Sequence, residues 1–337
     1  MKEKTVKFRL AAAAFGLFIL ILNANTAAHG AQEALSLCIQ TIIPSLFPFF
    51  LLTAYINPML WSISPRFIRK LCSNLAIPNG CEGVLILGLI GGYPVGAQSV
   101  SEAYRGGRIS KQQAQILMGY CNNAGPAFIF GIAGQLFSPS MTAWILWFVH
   151  ILSALLTGLV LPKIYTQSSK TPKNDSITLI QAFHKSLWIT ASVCGWILVF
   201  KVINAMITAG LPSVFEPYLV YLGGLLELSG GCLSLFDIAD HSLRFILCSA
   251  FLSFGGICVL MQSASVSSNL GLGLYLPGKV IQTGFSILLS LLFLLSGRRN
   301  TLPPSAFWTT AIVSAIMIYI LACFCRKRYG NNLTYDV

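Results

Sequence analysis

Long apolar runs, separated by short polar or basic segments, recur along the whole chain. A helix needs about 20 apolar residues to cross the hydrocarbon core of a bilayer, and several runs reach that length. The pattern predicts uninterrupted membrane-spanning helices at residues 8–28, 33–56, 141–161, 178–208, 275–296 and 305–325. The first run follows a basic start and also has the form of a signal peptide cleaved near Ala28. The many later spans favour an uncleaved helix.

Two further apolar segments, 82–100 and 214–236, are broken by glycines. The first has basic loops on both sides, which indicates a segment that enters the membrane and returns to the same face. We therefore expect two re-entrant hairpins, the first with its tip at residues 92–97.

Two other segments, 112–136 and 242–263, are long enough to cross a membrane but are interrupted. The first contains the polar cluster 121–126, and the second contains Gly255 and Gly256. Such interruptions are tolerated only where protein or a cavity satisfies the freed backbone groups. Counting both as crossings predicts eight transmembrane helices in total.

The order of these elements occurs twice: span, broken segment, interrupted span, plain span. Matching elements are offset by about 130 to 150 residues, which is typical of transporter folds built from inverted repeats. The sequence thus predicts an all-α polytopic membrane protein with about eight transmembrane helices and two re-entrant hairpins. The expected units are an N-terminal helix (1–30), a first repeat (31–163), a second, inverted repeat (174–297) and a C-terminal helix (305–325).

Composition agrees with this architecture. Of the 337 residues, 55% are hydrophobic and 9% are charged, whereas soluble domains carry about 25% charged residues. The net charge of +12 is explained by basic cytoplasmic loops rather than by nucleic-acid binding, because no basic stretch is interleaved with stacking aromatics. The ten cysteines are scattered and show neither metal-site nor redox spacing.

The basic residues also predict the orientation. The chain has 22 Lys and Arg residues. With eight crossings and a cytoplasmic N-terminus, all of them fall on the cytoplasmic side except Lys201, Arg244, Arg298 and Arg299. This distribution follows the positive-inside rule. It predicts a multi-pass cell-membrane protein with both termini in the cytoplasm.

Glu227 is the most informative single residue, because it lies within an apolar stretch while the other acidic residues lie at termini, in loops or near segment ends. A carboxylate in lipid is costly unless it is paired, hydrated or protonated. We expect it to bind a cation, a proton or a substrate hydroxyl. The alternative is a hydrogen-bonded carboxyl that holds its hairpin to a neighbouring helix.

The helix breaks supply the remaining candidates, since unwound backbone and half-helix ends make polar binding sites. Asn122 and Asn123 offer amide donors and acceptors for a neutral solute, or equally hold helices together. His150 is favoured as a hydrogen-bonded core residue over a proton relay. The full predicted substrate-binding set is Gly92, Pro94, Gly96, Gln98, Asn122, Asn123, Gly125, Glu227, Ser229 and Gly230.

Two other patterns are weaker. Gln262 and Ser263 follow Gly255 and Gly256 at the spacing that Gln98 and Ser99 keep from Gly91 and Gly92; we regard this match as chance because it falls on a different element of the repeat. Glu82 and Glu102 flank the first hairpin, where we expect surface pairs with Arg105 or Arg108.

No enzyme signature is present: the sequence lacks a Walker loop, a dinucleotide fingerprint, HExxH and G-x-S-x-G. We expect a non-enzymatic protein without a cofactor, and the residues leave open whether it binds a metal. They also leave its oligomeric state open.

Three motifs carry a resemblance to a known family. Gly92-Tyr93-Pro94-Val95-Gly96-Ala97, Cys121-Asn122-Asn123-Ala124-Gly125-Pro126 and Leu225-Leu226-Glu227-Leu228-Ser229-Gly230-Gly231 resemble segments of YlbJ-type sporulation integral membrane proteins. These carry the Gate, or nucleoside-recognition, domain. The resemblance implies a membrane protein of spore-forming bacteria, associated with spore cortex formation, whose gate domain is similar to parts of concentrative nucleoside transporters and ferrous iron transporters.

Two functions follow as hypotheses. The first is a transporter-like pathway for a small polar solute, nucleoside-like in chemistry, with its site at the hairpin tips. The second is a non-transporting membrane scaffold for spore-envelope assembly. A polar, water-accessible cavity where the tips meet favours the first, whereas tips sealed by apolar side chains favour the second.

Overall fold

The computed structural model describes residues 2–60, 65–137, 141–164, 177–267, 270–296 and 304–330. All regular secondary structure within these ranges is helical, which confirms the predicted all-α class. Four of the basic residues counted for the orientation lie outside the described residues, namely Lys170, Lys173, Arg298 and Arg299. The predicted repeat limits at 174 and 297 also lie outside them.

Seven helices in the described ranges are long and apolar enough to cross a membrane. They are Thr5–Leu22, Ala24–Leu60, Met141–Val160, Leu179–Gly210, His241–Ser267, Tyr275–Leu295 and Trp308–Lys327. The eighth predicted crossing, 112–136, is not a continuous helix, because a non-helical stretch at 118–125 divides it. Large apolar side chains cover the outside: Trp188, Phe8 and Tyr319 are 78%, 74% and 72% exposed, as a lipid-facing surface requires.

The N-terminal part consists of α1 (Lys2–Leu22), α2 (Ala24–Leu37), a π-helical turn (Cys38–Ile42) and α3 (Ile43–Leu60). The helix breaks at Asn23 rather than between the predicted spans at 28–33. The Asn23 side chain donates to the carbonyl of Ile19 at 3.0 Å, and such local bonds compete with helical ones.

Helices α2 and α3 pack antiparallel along α10 (Leu179–Gly210). Gly30 permits the close approach, since a Cβ on Gly30 would stand 2.9 Å from the Cβ of Ala205. Farther along, the rings of Phe47 and Phe183 meet edge to face at 5.7 Å. By contrast, no part of the α1 span is buried in the protein.

The first hairpin follows the amphipathic helix α4 (Arg66–Asn74) and consists of α5 (Glu82–Ile90) and α6 (Val95–Arg105). Each arm is too short to cross a bilayer. At the turn, Gly92 has φ +82° and Tyr93-Pro94 is a cis peptide. The conformation of Gly92 is one that other residues rarely adopt.

The interrupted segment comes next and contains α7 (Lys111–Leu117) and α8 (Pro126–Gly131) on either side of the non-helical stretch. Pro126 stands in the first turn of α8, where a missing N–H costs nothing. A short 3₁₀ turn (Ala133–Leu136) leads to the uninterrupted helix α9 (Met141–Val160).

The second half shows a similar order of elements. A second hairpin, α11 (Leu219–Leu226) and α12 (Leu228–Ser234), lies between 3₁₀ turns at Ser213–Tyr218 and Leu235–Asp237. The interrupted helix follows as α13 (His241–Phe254) and α14 (Gly256–Ser267), then α15 (Tyr275–Ser296) and α16 (Pro304–Gly330). Gly255 and Gly256 both have positive φ, +81° and +77°, so the break falls at the predicted glycines.

Candidate functional site

The two hairpin tips pack against the two helix breaks. In the first half, a Cβ on Gly125 would stand 2.8 Å from the Cα of Gly92. In the second half, a Cβ on Gly256 would stand 3.2 Å from the carbonyl oxygens of Leu225 and Leu226. Glycine at these contacts allows backbone to meet backbone.

The two halves are joined at the same place. The Tyr93 hydroxyl, at the first tip, donates to the carbonyl of Leu252 at 3.1 Å, just before the second break. The Tyr93 ring also lies 3.3 Å from the position of a Cβ on Gly255. The two hairpin tips and the two helix breaks, at 118–125 and at Gly255, therefore meet in one region of the protein interior.

A cavity opens between the tips. Its empty volume is about 480 Å³ including its mouth, but the space that water can occupy holds only about two molecules. Both tips line it (Gly91 to Tyr93 and Glu227 to Ser229), together with Ala124 and Gly125 of the first break, Gln262 of α14 and apolar side chains of α3, α8 and α10. The cavity is thus an apolar pocket with a few convergent polar groups, which is the usual form of a small-molecule site.

The structure brings Gly92, Gly125, Glu227 and Ser229 to the wall of this tip cavity. Gly230 adjoins it through its bond to Glu227. The other predicted residues do not form the described wall: Pro94, Gly96, Asn122 and Asn123 lie in the packing behind it, and Gln98 faces a separate cleft. Direct solute binding by any of these residues stays a prediction.

Glu227 is 4% exposed and caps the N-terminus of α12. Its Oε1 accepts from the backbone N–H of Ser229 at 2.7 Å, and its Oε2 accepts from that of Gly230 at 2.6 Å. Bonds to a carboxylate at a helix N-terminus are charge-assisted and favoured by the helix dipole. The carboxyl group is therefore fixed by its own hairpin while it borders the cavity.

A lysine accompanies this carboxylate. A Cβ on Gly230 would stand 2.8 Å from the Nζ of Lys201 and 3.1 Å from the Oε2 of Glu227. The Lys201 ammonium and the Glu227 carboxylate thus both lie next to Gly230. A positive charge this near reduces the cost of burying Glu227.

Asn122 is fully buried and joins three elements. Its Oδ1 accepts from the backbone N–H of Ala97 at 3.1 Å, and its Nδ2 donates to the Oγ of Ser263 at 2.8 Å. These bonds hold the first break, the first hairpin and α14 together. The arrangement is the interhelical bonding that was the alternative to direct solute contact.

Asn123 belongs to a buried polar cluster that contains Lys279. Its Nδ2 donates to the carbonyls of Gly88 and Tyr120 at 2.9 and 2.8 Å. Its Oδ1 accepts from the Nζ of Lys279 at 3.1 Å and from the Nε2 of Gln282 at 2.9 Å. Lys279 also donates to the Oε1 of Gln282 at 2.7 Å.

Lys279 corrects the predicted charge distribution. It was counted among the cytoplasmic basic residues, but it is 0% exposed inside α15. Its Nζ lies 5.2 Å from the ring centroid of Tyr93 and 5.9 Å from that of Tyr275, within cation–π range. The sequence signal was a polar stripe at helical spacing, made of Lys279, Gln282, Ser286 and Ser290, all fully buried.

His150 connects the two breaks. Its Nε2 accepts from the backbone N–H of Ala124 at 3.1 Å, and its Nδ1 lies 3.2 Å from the Oγ of Ser253. Because Nε2 is an acceptor, the ring is neutral with its proton on Nδ1. This geometry agrees with the favoured interpretation of His150 as a hydrogen-bonded core residue.

The spacing match that we attributed to chance lies at the site. Gln262 lines the tip cavity, and Ser263 is the partner of Asn122. Both follow a positive-φ glycine turn, as Gln98 and Ser99 do. The spacing match therefore indicated Gln262 and Ser263 correctly, although we had attributed it to chance because the two residues lie on a different element of the repeat.

Gln98 faces a second, smaller cleft of about 220 Å³ including its mouth, between α3, α6 and α10. Three residues that line the cleft donate to Glu102: Lys185 at 2.6 Å, Gln98 at 3.0 Å and Asn57 at 2.7 Å. The expected pairing of Glu102 with Arg105 or Arg108 is therefore replaced by a pair with Lys185 of α10. Glu82 likewise lies 3.9 Å from Arg69 instead, and it is 1% exposed.

Within the described residues, no group of three or more His, Cys, Asp and Glu side chains is placed to hold a metal ion. The polar atoms at the tips are instead one carboxylate, amides, hydroxyls and backbone groups. This donor set suits hydrogen bonding to a polar organic molecule.

One characterised relative was found by comparison. The chain is similar to the "Sporulation integral membrane protein YlbJ" of Bacillus subtilis (strain 168), at 25% identity over 308 aligned residues that cover 75% of this chain and 74% of the relative. No protein-family model and no solved structure matches the chain. The similarity to YlbJ and the seven apolar helices support a multi-pass integral membrane protein.

Proposed function

We propose that this protein forms a gated pathway for a small polar solute, nucleoside-like in chemistry, across a membrane of a sporulating cell, with the tip cavity as its binding site. One observation carries the proposal: both hairpin tips and the first helix break border one cavity, into which Glu227, Ser229 and Gln262 contribute polar groups. The similarity to a sporulation membrane protein supplies the cellular setting.

The geometry supports this proposal in physical terms. Broken helices cost hydrogen bonds inside a membrane and are retained where they line a cavity. Apolar walls with a few polar groups select solutes by their hydrogen-bonding pattern. The present volume is narrow, so solute passage requires the tips to separate from α3 and α10. The proposed orientation has both termini in the cytoplasm and both hairpins re-entrant.

A second candidate function is the non-transporting scaffold for spore-envelope assembly. One observation favours it: the α1 span has no buried residue in the described protein and presents a free apolar surface. A scaffold of this kind requires exposed surfaces and tolerates changes in the tip cavity. The two functions therefore make opposite predictions for Glu227, which borders the tip cavity.

The experiment is solute uptake into liposomes that contain the purified protein. Radiolabelled nucleosides and other small neutral solutes are tested with the unchanged protein, with Glu227→Gln and with the matched control Glu216→Gln, which alters an exposed acid before the same hairpin. We expect Glu227→Gln to reduce uptake about tenfold, equivalent to about 1.4 kcal/mol, and Glu216→Gln to leave it unchanged.

Full uptake by Glu227→Gln at every pH would remove Glu227 from the transport role. Absence of uptake of any tested solute, together with normal spore assembly by Glu227→Gln, would support the scaffold instead.

A further inference from the structure

The tip cavity and the smaller cleft lie along one line of the protein. On α10, Lys185 and Ile189 border the cleft, and Val193 and Ile197 border the tip cavity. Lys201 follows beside Gly230 of the second tip. These five residues are spaced by four and form one continuous ridge that winds gradually around α10, over about 24 Å from Lys185 to Lys201 at 1.5 Å per residue.

Two other elements follow the same course. On α3, Leu46 and Phe49 border the tip cavity, and Thr53 and Asn57 border the cleft. In the first hairpin, residues 91–93 border the tip cavity, whereas Val95, Gln98 and Ser99 of α6 border the cleft. Three separate walls thus continue from one space into the other.

Phe50 stands between the two spaces. It lines both of them and is itself 1% exposed. A buried aromatic side chain shared by two adjoining cavities closes the passage between them while it keeps this rotamer. A change of its χ1 angle moves the ring to another staggered position, and separation of the tips from α3 and α10 supplies the space for that change.

The cleft also carries polar atoms that the protein leaves unsatisfied. Among the described residues, the Oδ1 of Asn57 and the Oγ of Ser99 have no hydrogen-bond partner, although the two side chains are 6% and 1% exposed. An unsatisfied buried polar atom is costly and points to a water or a ligand group. Glu102 and Lys185 compensate each other's charge, so the cleft suits a neutral solute with an O–H or N–H donor.

From these observations we infer that the cleft is a second binding site, the first compartment of the solute pathway, and that Phe50 is the barrier between this compartment and the tip cavity. The inference rests on the proposed function and adds the route and its gate. Asn57 and Ser99 bind the solute in the cleft, and movement of Phe50 admits it to Glu227 and Ser229.

The test measures chemical access rather than transport. Single cysteines are introduced by Ser99→Cys in the cleft and by Ser229→Cys in the tip cavity. A small membrane-impermeant reagent, 2-sulfonatoethyl methanethiosulfonate, is applied to right-side-out and inside-out vesicles. The labelling rate of each cysteine is measured in three backgrounds: the unchanged protein, Phe50→Ala and Phe128→Ala. Phe128→Ala is the matched control, because Phe128 lines the tip cavity but not the cleft.

We expect Ser99→Cys to react from one membrane face in every background. From that face, Ser229→Cys should react about tenfold faster with Phe50→Ala than with Phe50 or Phe128→Ala, as removal of a barrier of about 1.4 kcal/mol requires. Phe50→Leu, a smaller change of volume, should give an intermediate rate, and it replaces Phe50→Ala where the latter does not fold.

The native cysteines provide a low background for this measurement. Burial raises the pKa of the Cys72 and Cys81 thiols to about 12, which keeps them protonated and unreactive at neutral pH. The exposed Cys323 and the partly exposed Cys194 are replaced by Ser in all variants. The protein without an introduced cysteine gives the background labelling rate, which is subtracted.

Equal rates for Ser229→Cys in all backgrounds would overturn the barrier at Phe50, even where uptake is observed. Failure of Ser99→Cys to react from either face would overturn the cleft as the first compartment. Absence of uptake would instead overturn the proposed function, whatever the labelling rates, so the two failures are distinguishable.

Discussion

At the scale of single residues, the polar groups of the interior divide into those that hold the fold and those that face open space. Asn122, Asn123 and His150 have both ends of their side chains bound by protein. Glu227 and Ser229 border the tip cavity, and Asn57 and Ser99 border the cleft with unsatisfied atoms. Substitutions in the first group should change stability, and those in the second should change access and binding.

Lys279 and Asn123 allow a test of the first group. Asn123→Leu leaves the Lys279 ammonium with one fewer acceptor and two backbone carbonyls without their donor. We expect it to lower the free energy of unfolding by about 3 kcal/mol. Lys279→Met removes the buried charge and keeps the length of the side chain but leaves the Oε1 of Gln282 without its donor, so it should cost about 1 kcal/mol, less than Asn123→Leu.

The measurement is the thermal unfolding midpoint of the detergent-solubilised protein. The opposite order, with Lys279→Met the more destabilising change, would show that the ammonium is needed to hold Asn123 in place.

At the scale of elements, the breaks were predictable and their partners were not. Gly255, Gly256 and the cluster 121–126 interrupt apolar runs, and their local sequence forces a turn whatever surrounds it. The bond between Asn122 and Ser263, by contrast, links residues 141 positions apart. No periodicity in either segment determines which distant hydroxyl faces an amide, so the sequence could indicate a polar interior but not its pairing.

Lys279 illustrates the same limit. A lysine one turn into an apolar helix is normally able to extend to the membrane surface, and this expectation placed it in the cytoplasmic set. The tertiary contacts with Asn123 and the two tyrosine rings keep it inside instead.

The break at Gly256 provides an elemental prediction. Gly256→Ala places a Cβ at φ +77° and 3.2 Å from two carbonyl oxygens of the second tip, so we expect a loss of about 1–3 kcal/mol in the free energy of unfolding. Gly195→Ala is the matched control, because nothing lies within 4 Å of the new Cβ in the middle of α10; there Ala should stabilise by up to about 1 kcal/mol.

Thermal unfolding of both variants checks this prediction. Equal midpoints for Gly256→Ala and Gly195→Ala would mean that the second break has no need of its left-handed backbone.

At the scale of the whole molecule, the number of crossings determines where the termini lie. Seven helical spans in the described part of the chain are long enough to cross, one of them interrupted at Gly255, and the divided segment 112–136 supplies an eighth if its two short helices cross together. Eight crossings place both termini on one face, whereas seven place them on opposite faces. The basic residues favour the cytoplasm for both.

Reporter fusions at the two termini and an insertion at Gly107, in the turn after the first hairpin, test this arrangement. We expect all three to report the cytoplasmic face. A C-terminus on the opposite face from Gly107 would show that the divided segment does not cross, and it would contradict the eight-crossing topology.

The bonds of His150 have a mechanical consequence. One nitrogen of the ring holds a backbone group of the first half, and the other holds a hydroxyl of the second half. When two rigid bodies rock against each other, the place where both are bonded to one small, stiff ring moves least, and displacement grows with distance from it. In any motion of one half against the other, the two breaks would therefore stay in register through His150, and the larger displacements would fall on the parts of the helices farther from the ring.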